Sequence, residues 1–291
     1  MNILITGVTG HVGNALALFL LSKGHSVIGV SRSEKLIEHS SYKHILVDLS
    51  SEDFGKSLPE NIEVVYHLAQ SKQYRDFITG AEDMFSVNIR STFLLLEWGK
   101  RIGIKKFIFS STGNVYLSSN NALSEDALCQ PDSFYGVSKL AAEQMVMQYR
   151  SLFNVFVCRV FGVYGPGQKN MLVSNLIKNV REQKEITLAG NVGLYMNPLY
   201  IDDCVELFEQ LLTKDESGVI NFAAPETTDI SSIVSIIENA TGKTVKKNIT
   251  KDVPKYLIGD TSKMNKFFGK RSYTSIKEGL NKTLKAEGKN K

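Results

Sequence analysis

The sequence predicts an α/β fold, a doubly wound parallel sheet followed by a smaller, discontinuous C-terminal domain, and three observations carry that expectation. Short, nearly all-apolar runs alternate with longer amphipathic stretches, a glycine-rich turn follows the first run at once, and the rhythm changes after YGPG at 164–167. Strands that are apolar on both faces must be covered on both, and the crossover helices of a parallel sheet do the covering.

Taken in order, NILIT (2–6), HSVIGV (25–30), HILVD (44–48), EVVYHLA (63–69), KKFIFSS (105–111) and VFVCRVF (155–161) read as strands. HVGNALALFLLSKG, ending at Gly24, and AEDMFSVNIRSTFLLLEWGKRIG, ending at Gly103, read as helices closed by glycine. Beyond YGPG come a helix at about 170–183, the strand-like EITLAG (185–190), the helical CVELFEQLL (204–212), one more strand in GVINFAA (218–224) and a capped helix in DISSIVSIIENATGK (229–243). Residues 1–167 with 199–224 are therefore expected to form a nucleotide-binding domain, 168–198 with 225–285 a substrate-binding domain, and 286–291 a flexible tail. A cleft between the two domains is the expected ligand site.

Composition excludes several classes. No segment approaches the roughly 20 consecutive apolar residues of a membrane span, and MNILITGVTGHVG has glycines where an export signal needs a continuous apolar core. Three widely spaced cysteines, Cys129, Cys158 and Cys204, suit a reduced compartment, so a cytoplasmic protein is expected. A formal charge of +4 with dispersed lysines is no nucleic-acid footprint. All histidines lie at or before His67 with no paired ligand spacing, so no metal site is expected.

ITGVTGHVG sets Gly7, Gly10 and Gly13 between the first strand and the first helix. Glycine permits the tight turn and the close backbone approach that let free N–H groups at the helix start hold a pyrophosphate. Where the fingerprint expects an acidic residue after the second strand, this chain has Ser31 and Arg32, which point to a 2′-phosphate and hence to NADP. Asp48, after the third strand, is placed either to accept from an adenine amino group or to cap a turn.

The glycine turn, HLA at 67–69, FIFSST at 107–112, YGVSK at 135–139, YGPG at 164–167, YIDD at 200–203 and DTSK at 260–263 occur in that order. The ordered set resembles the extended short-chain dehydrogenase/reductases, in the branch of the NAD(P)-dependent nucleotide-sugar epimerases and dehydratases. That resemblance implies a Rossmann-type domain, with Tyr135 as acid/base, Lys139 as its helper and Thr112 orienting the substrate oxygen. It also implies NAD(P) contacts from Gly7, Thr9, Gly10, His11, Val12, Gly13, Ser31, Arg32, Asp48, Leu49, Leu68, Ala69, Gln70, Asn88, Ser110, Tyr135 and Lys139. Substrate contacts would come from Thr112, Asn114, Tyr135, Gly162 and Asn197, and a homodimer from the helices containing 81–101 and 133–151. The chemistry agrees: free tyrosine titrates near ~10, too high for a base at neutral pH, and a nearby ammonium favours the phenolate. Tyr273 and Lys277 repeat the i, i+4 spacing in a polar stretch that follows no such strand, and are expected to carry no site.

Three departures from that pattern bear on the substrate. The loop Thr112-Gly113-Asn114 lacks the Asp-Glu pair that dehydratases resembling this chain use as acid and base, which sets dehydration aside. Met196-Asn197 stands where an Arg-Asp pair usually meets a diphosphate, leaving Arg181, Lys251 and Lys255 as substitutes. Gly162 replaces a frequent substrate-binding asparagine. The expected activity is C4 epimerisation of a nucleotide sugar through a transient 4-keto intermediate. An NADPH-dependent 4-ketoreductase and a non-catalytic dinucleotide sensor are the alternatives.

Overall fold

The computed structural model describes residues 1–34 and 36–288, so residues 289–291 of the expected tail lie outside the described residues. The chain divides into two compact units: Met1–Leu117, Leu128–Val160 and Val205–Ile220 form the first, and Ser118–Ala127, Phe161–Cys204 and the chain from Asn221 onward form the second.

In the first unit β1 (Asn2–Thr6), β2 (Ser26–Ser31), β3 (Tyr42–Leu46), β4 (Val64–His67), β5 (Lys106–Thr112) and β6 (Asn154–Val160) lie in the order β3-β2-β1-β4-β5-β6, and the strand Gly218–Phe222, whose residues up to Ile220 belong to this unit, lies at the outer edge beside β6. Every pair from β3 to β6 is parallel. The apolar runs explain the order: β4 is wholly buried and β1, β5 and β6 nearly so, whereas β3, at the edge, alternates with exposed positions. Strand order reverses between β1 and β4, which brings the carboxyl ends of β1, β4 and β5 side by side, the usual ligand position in such sheets.

Helix α1 (His11–Ser22) buries Leu16, Ala17, Leu20 and Leu21 and is followed by Gly24 at φ +82°. The long stretch at 81–103 differs from a single regular helix. It runs as α2 (Phe77–Met84), a π-helical turn at Phe85–Arg90 and α3 (Ser91–Ile102), closed by Gly103 at φ +72°. Such π turns place an extra residue in the helix and often accompany functional sites; here the turn carries Asn88. Helix α4 (Phe134–Gln148) is capped by Ser133, whose hydroxyl accepts the Gly136 N–H at 3.2 Å. One core cluster joins sheet residues Leu4, Val65, Phe107 and Phe109 to Leu95, Leu96 and Trp98 of α3 and Ala142 and Val146 of α4. Each fully buried side chain of that size is worth roughly 1.5–3 kcal/mol.

The second unit contains α5 (Leu172–Arg181), α7 (Ile230–Thr241), α8 (Ser262–Phe268) and α9 (Ile276–Gly288), while α6 (Ile201–Gln210) begins in it and ends in the first. Its sheets are short: Ile186–Ala189 pairs with Lys247–Thr250, and Leu194–Met196 lies between Thr228–Asp229 and Lys255–Leu257. Asp229 caps α7 by accepting from Ser232 N–H at 2.9 Å, and Gly242 closes it at φ +68°. The last helix continues to Gly288, so residues 286–288, expected in the tail, are helical. Among the described residues no helix is long and apolar enough to cross a membrane.

Candidate active site

Gly7 adopts φ +72°, and a Cβ there would sit 2.9 Å from the Ala69 backbone. At Gly13 a Cβ would come within 2.3 Å of the Gly7 carbonyl oxygen, so the helix can start this close to the strand only with glycine at that position. Gly10 is the N-cap of α1, and no side chain caps it. The first N–H groups of the helix therefore have no side-chain acceptor, as a pyrophosphate cradle requires. His11 Nε2 is buried without a hydrogen-bond partner, and burial holds the imidazole below its ordinary pKa. Thr9 is exposed and Val12 half-buried at the same turn. These residues fit a dinucleotide.

Around that cradle the expected cofactor residues divide. The Asp48 carboxylate accepts from Ser50 N–H at 2.9 Å and Ser50 O–H at 2.8 Å, which is a turn cap, and these bonds hold it below the usual carboxylate range against burial. Leu49 packs into the core. The Ser31 hydroxyl donates to Ser33 O at 2.8 Å and lies 2.9 Å from His44 Nε2. Arg32 reaches 3.9 Å from Asp83. Leu68 and Ala69 are half-buried after β4, Gln70 is exposed, and Ser110 is half-buried on β5.

Behind the site runs a buried hydrogen-bond chain that the sequence did not reveal. The Thr92 hydroxyl donates to Asn88 O at 2.8 Å, so its oxygen accepts from His67 Nε2–H at 3.0 Å. That tautomer leaves His67 Nδ1 to accept from Thr6 O–H at 2.7 Å, while Thr6 Oγ1 accepts Ala69 N–H at 3.2 Å. Burial first and the Lys139 charge second push His67 down to about 3, so it stays neutral. The Asn88 amide accepts Ser71 N–H at 2.9 Å and donates to Ser138 Oγ at 2.9 Å, and Ser138 in turn donates to the Tyr135 carbonyl at 2.8 Å. Asn88 thus ties the loop after β4 to the helix that carries Tyr135.

Thr112, Tyr135 and Lys139 are brought together at the end of β5 and the first turns of α4. Thr112 is buried, accepts from Asn114 N–H at 3.2 Å and hydrogen-bonds the Tyr135 phenol, which favours the phenolate. Burial outweighs that bond and pushes the phenol well above its ordinary range. Lys139 is 1% exposed, with its ammonium 4.2 Å from the centroid of the Phe109 ring. Burial pushes it down to about 7, with the Glu143 charge one turn on working the other way. Glu143 is itself buried in a bidentate pair with Arg159 of β6, at 2.7–3.1 Å. Asn114 is exposed beside Thr112.

Elsewhere the predicted residues have structural employment. In the second unit Gly162 adopts φ +128° and its carbonyl accepts Leu199 N–H at 2.9 Å. Asn197 is 2% exposed: its amide donates to Ala224 O and Gly259 O and accepts from Gly259 N–H, all at 2.9–3.0 Å. An amide so engaged ties its own loop to those of Ala224 and Gly259, with both of its donors in use. Arg181 is tied to Glu287 and Leu284 O of α9, while Lys251 and Lys255 are exposed. Tyr273 lies before α9 begins at Ile276 and Lys277 is exposed, so the second Tyr-Lys spacing is not one face of one helix.

A parallel sheet with a glycine cradle at its switch point and a Thr-Tyr-Lys set beside it defines a dinucleotide-dependent enzyme of the short-chain dehydrogenase/reductase kind. The model of the NAD dependent epimerase/dehydratase family matches residues 3–223, and the chain belongs to that family. It is 30% identical to the UDP-glucuronate 4-epimerase of Thermodesulfobacterium geofontis, over 97% of this chain and 94% of that protein. To an uncharacterized UDP-glucose epimerase of Bacillus subtilis it is 29% identical, over 96% of each. The crystal structure of UDP-glucuronic acid 4-epimerase from Bacillus cereus, in complex with UDP-glucuronic acid and NAD, matches with a TM-score of 0.89 at 31% identity, over 100% of both chains.

Proposed function

We propose that the protein epimerises a UDP-linked hexose or hexuronate at C4. The observation that carries this reading is the hydrogen bond between Thr112 and the Tyr135 hydroxyl, with buried Lys139 one turn on in α4 and a loop after Thr112 that continues as Gly113-Asn114 with no carboxylate. Tyr135 takes the proton of the C4 hydroxyl, Thr112 orients that oxygen, and Lys139 supplies the positive charge that makes a phenolate attainable. A dinucleotide held by the Gly7-Gly10-Gly13 turn would supply the hydride acceptor and donor that C4 inversion requires. Tyr135 then gives the proton back, so the protein ends as it began. Elimination of water would need a further acid and base flanking C5 and C6, and the loop provides neither.

NAD is the cofactor this reading takes. Arg32, read in the sequence as a 2′-phosphate ligand, faces Asp83, a carboxylate that would repel that phosphate. The Bacillus cereus relative was crystallised with NAD. A cytoplasmic location goes with the three free cysteines. The occupant proposed for the apolar face of α2, α3 and α4, where Phe77, Ile78, Phe85, Phe93 and Val137 are exposed, is a second copy of the chain.

The test incubates the protein with UDP-glucuronate, UDP-glucose or UDP-N-acetylglucosamine and NAD, and follows anomeric protons by NMR. A C4 epimer is expected, with no net change in nicotinamide absorbance and with turnover abolished by Tyr135→Phe. Steady oxidation of NADPH by a 4-keto nucleotide sugar, with no epimer formed, would replace this reading by the ketoreductase.

A further inference from the structure

Gln70 stands in the segment between β4 and α2, and its side-chain carbonyl accepts the Tyr135 hydroxyl at 2.8 Å. The same segment lays the Tyr74 ring 5.2 Å from that of Tyr135, with the Arg75 guanidinium 5.0 Å from Tyr74. Among the described residues the Gln70 side chain has no other hydrogen bond, so its amide is free to turn.

A phenol that serves as acid and base must be solvated in both states inside a site that excludes water. Thr112 meets it from β5 and can donate to the oxygen in either state. A second partner has to change sign, accepting from O–H and donating to O⁻. Of the uncharged side chains, only a carboxamide offers a carbonyl and an NH2 that a half-turn of one bond exchanges.

We propose that Gln70 is a catalytic residue: its amide accepts from Tyr135 as the phenol and, after a half-turn, donates to Tyr135 as the phenolate, lowering the barrier to proton transfer in both directions. This rests on the reading that Tyr135 is the acid/base. The proton moves only between the substrate hydroxyl and the Tyr135 oxygen, and Gln70 neither gains nor loses one.

Burial raises the Tyr135 phenol, the Thr112 hydrogen bond from β5 lowers it and Tyr74 on the segment after β4 raises it; the other charged groups on the elements packed around it are Lys139 on its own helix, with Glu143 behind it, and Arg75 beside Tyr74. Gln70→Glu keeps the acceptor and adds a negative charge, whereas Gln70→Met keeps the length and removes both roles. With NAD present, the tyrosinate absorbance of each protein is titrated, and the titration of Tyr135→Phe is subtracted. Relative to wild type, Gln70→Glu should titrate higher by at least about one pH unit, and Gln70→Met should lie between. In turnover, Gln70→Met should lower kcat by roughly tenfold to a hundredfold with KM within about threefold, and the rising limb of the Gln70→Glu profile should move up. Superimposable titrations for all three proteins, or full kcat in Gln70→Met, would overturn the proposal. The absorbance titration needs no turnover, so it decides the role of Gln70 even where no nucleotide sugar proves to be a substrate.

Discussion

Replacing Lys139 by Met should stabilise the ligand-free protein while destroying its chemistry. The side chain is 1% exposed, and among the described residues no group hydrogen-bonds its ammonium. What faces it is the Phe109 ring, 4.2 Å from the ammonium to the centroid, and the Glu143 charge, whose carboxylate is engaged by Arg159. Burial therefore lowers its pKa from 10.5 to about 7. At about 1.4 kcal/mol per pH unit, holding that charge inside costs roughly 5 kcal/mol, and some of this persists as lost packing in the variant, so a gain of about 2–5 kcal/mol is expected. The sign with pH follows from linkage. Between the folded value of about 7 and the ordinary 10.5 the unfolded chain binds the extra proton, so wild-type stability rises with pH across that window. The advantage of Lys139→Met is thus complete at and below about pH 7 and vanishes toward about pH 10.5. Urea unfolding of both proteins at about pH 6, 8 and 10 measures it. A variant less stable than wild type at the lowest pH, or an advantage that does not shrink as pH rises, would refute the reasoning.

Other perturbations test neighbouring parts of the same structure. Glu143→Gln leaves the Arg159 charge buried and half-paired and should cost about 3–5 kcal/mol in urea unfolding, whereas the double change to Leu at both positions should restore most of it. Gly13→Ala puts a Cβ 2.3 Å from the Gly7 oxygen, so the turn must open; equilibrium dialysis should show NAD affinity reduced at least about tenfold and calorimetry about 1–3 kcal/mol of lost stability. Ile78 is 90% exposed, with Phe85 and Phe93 at 50% and 46% farther along the same helical stretch. Ile78→Glu with Phe93→Glu should convert a sedimenting dimer into monomer, and an unchanged sedimentation coefficient would exclude this face as the interface.

The sheet was legible because β1, β4, β5 and β6 are buried on both faces and so written almost wholly in apolar residues, and because glycine reports backbone demands directly. Gly7 and Gly13 each stand where a Cβ has no room. The Thr112-Tyr135-Lys139 set was readable from order along the chain, since residues at the end of one strand and the start of the next helix are neighbours in this topology. What stayed hidden depends on pairings remote in sequence. Arg159 meets Glu143 from another element, and His67 gains its meaning from Thr6 and Thr92. Nothing in FSVNIR distinguishes the π turn at Phe85–Arg90 from a regular helix. The bonds of Asn197 to Ala224 O, Gly259 O and Gly259 N–H, 27 and 62 residues on, were equally hidden.

The two Tyr-Lys spacings show what the fold adds to a motif. Tyr135, Lys139 and Glu143 recur at i, i+4 and i+8, so a single stripe of α4 carries phenol, ammonium and carboxylate. That stripe packs on the sheet: Lys139 reaches the Phe109 ring of β5 and Glu143 reaches Arg159 of β6. A polar stripe aimed into a core destabilises the unit that holds it, and the apolar cluster that contains Ala142 and Val146 of α4 with Val155 and Val157 of β6 offsets the loss. Tyr273 is half-buried and burial raises its phenol, but Lys277 remains in solvent, so no buried ammonium stands beside that phenol. Perturbed acid/base groups arise where burial opposes charge, so the burial that shifts Tyr135 and Lys139 is also what costs α4 stability where it covers β5.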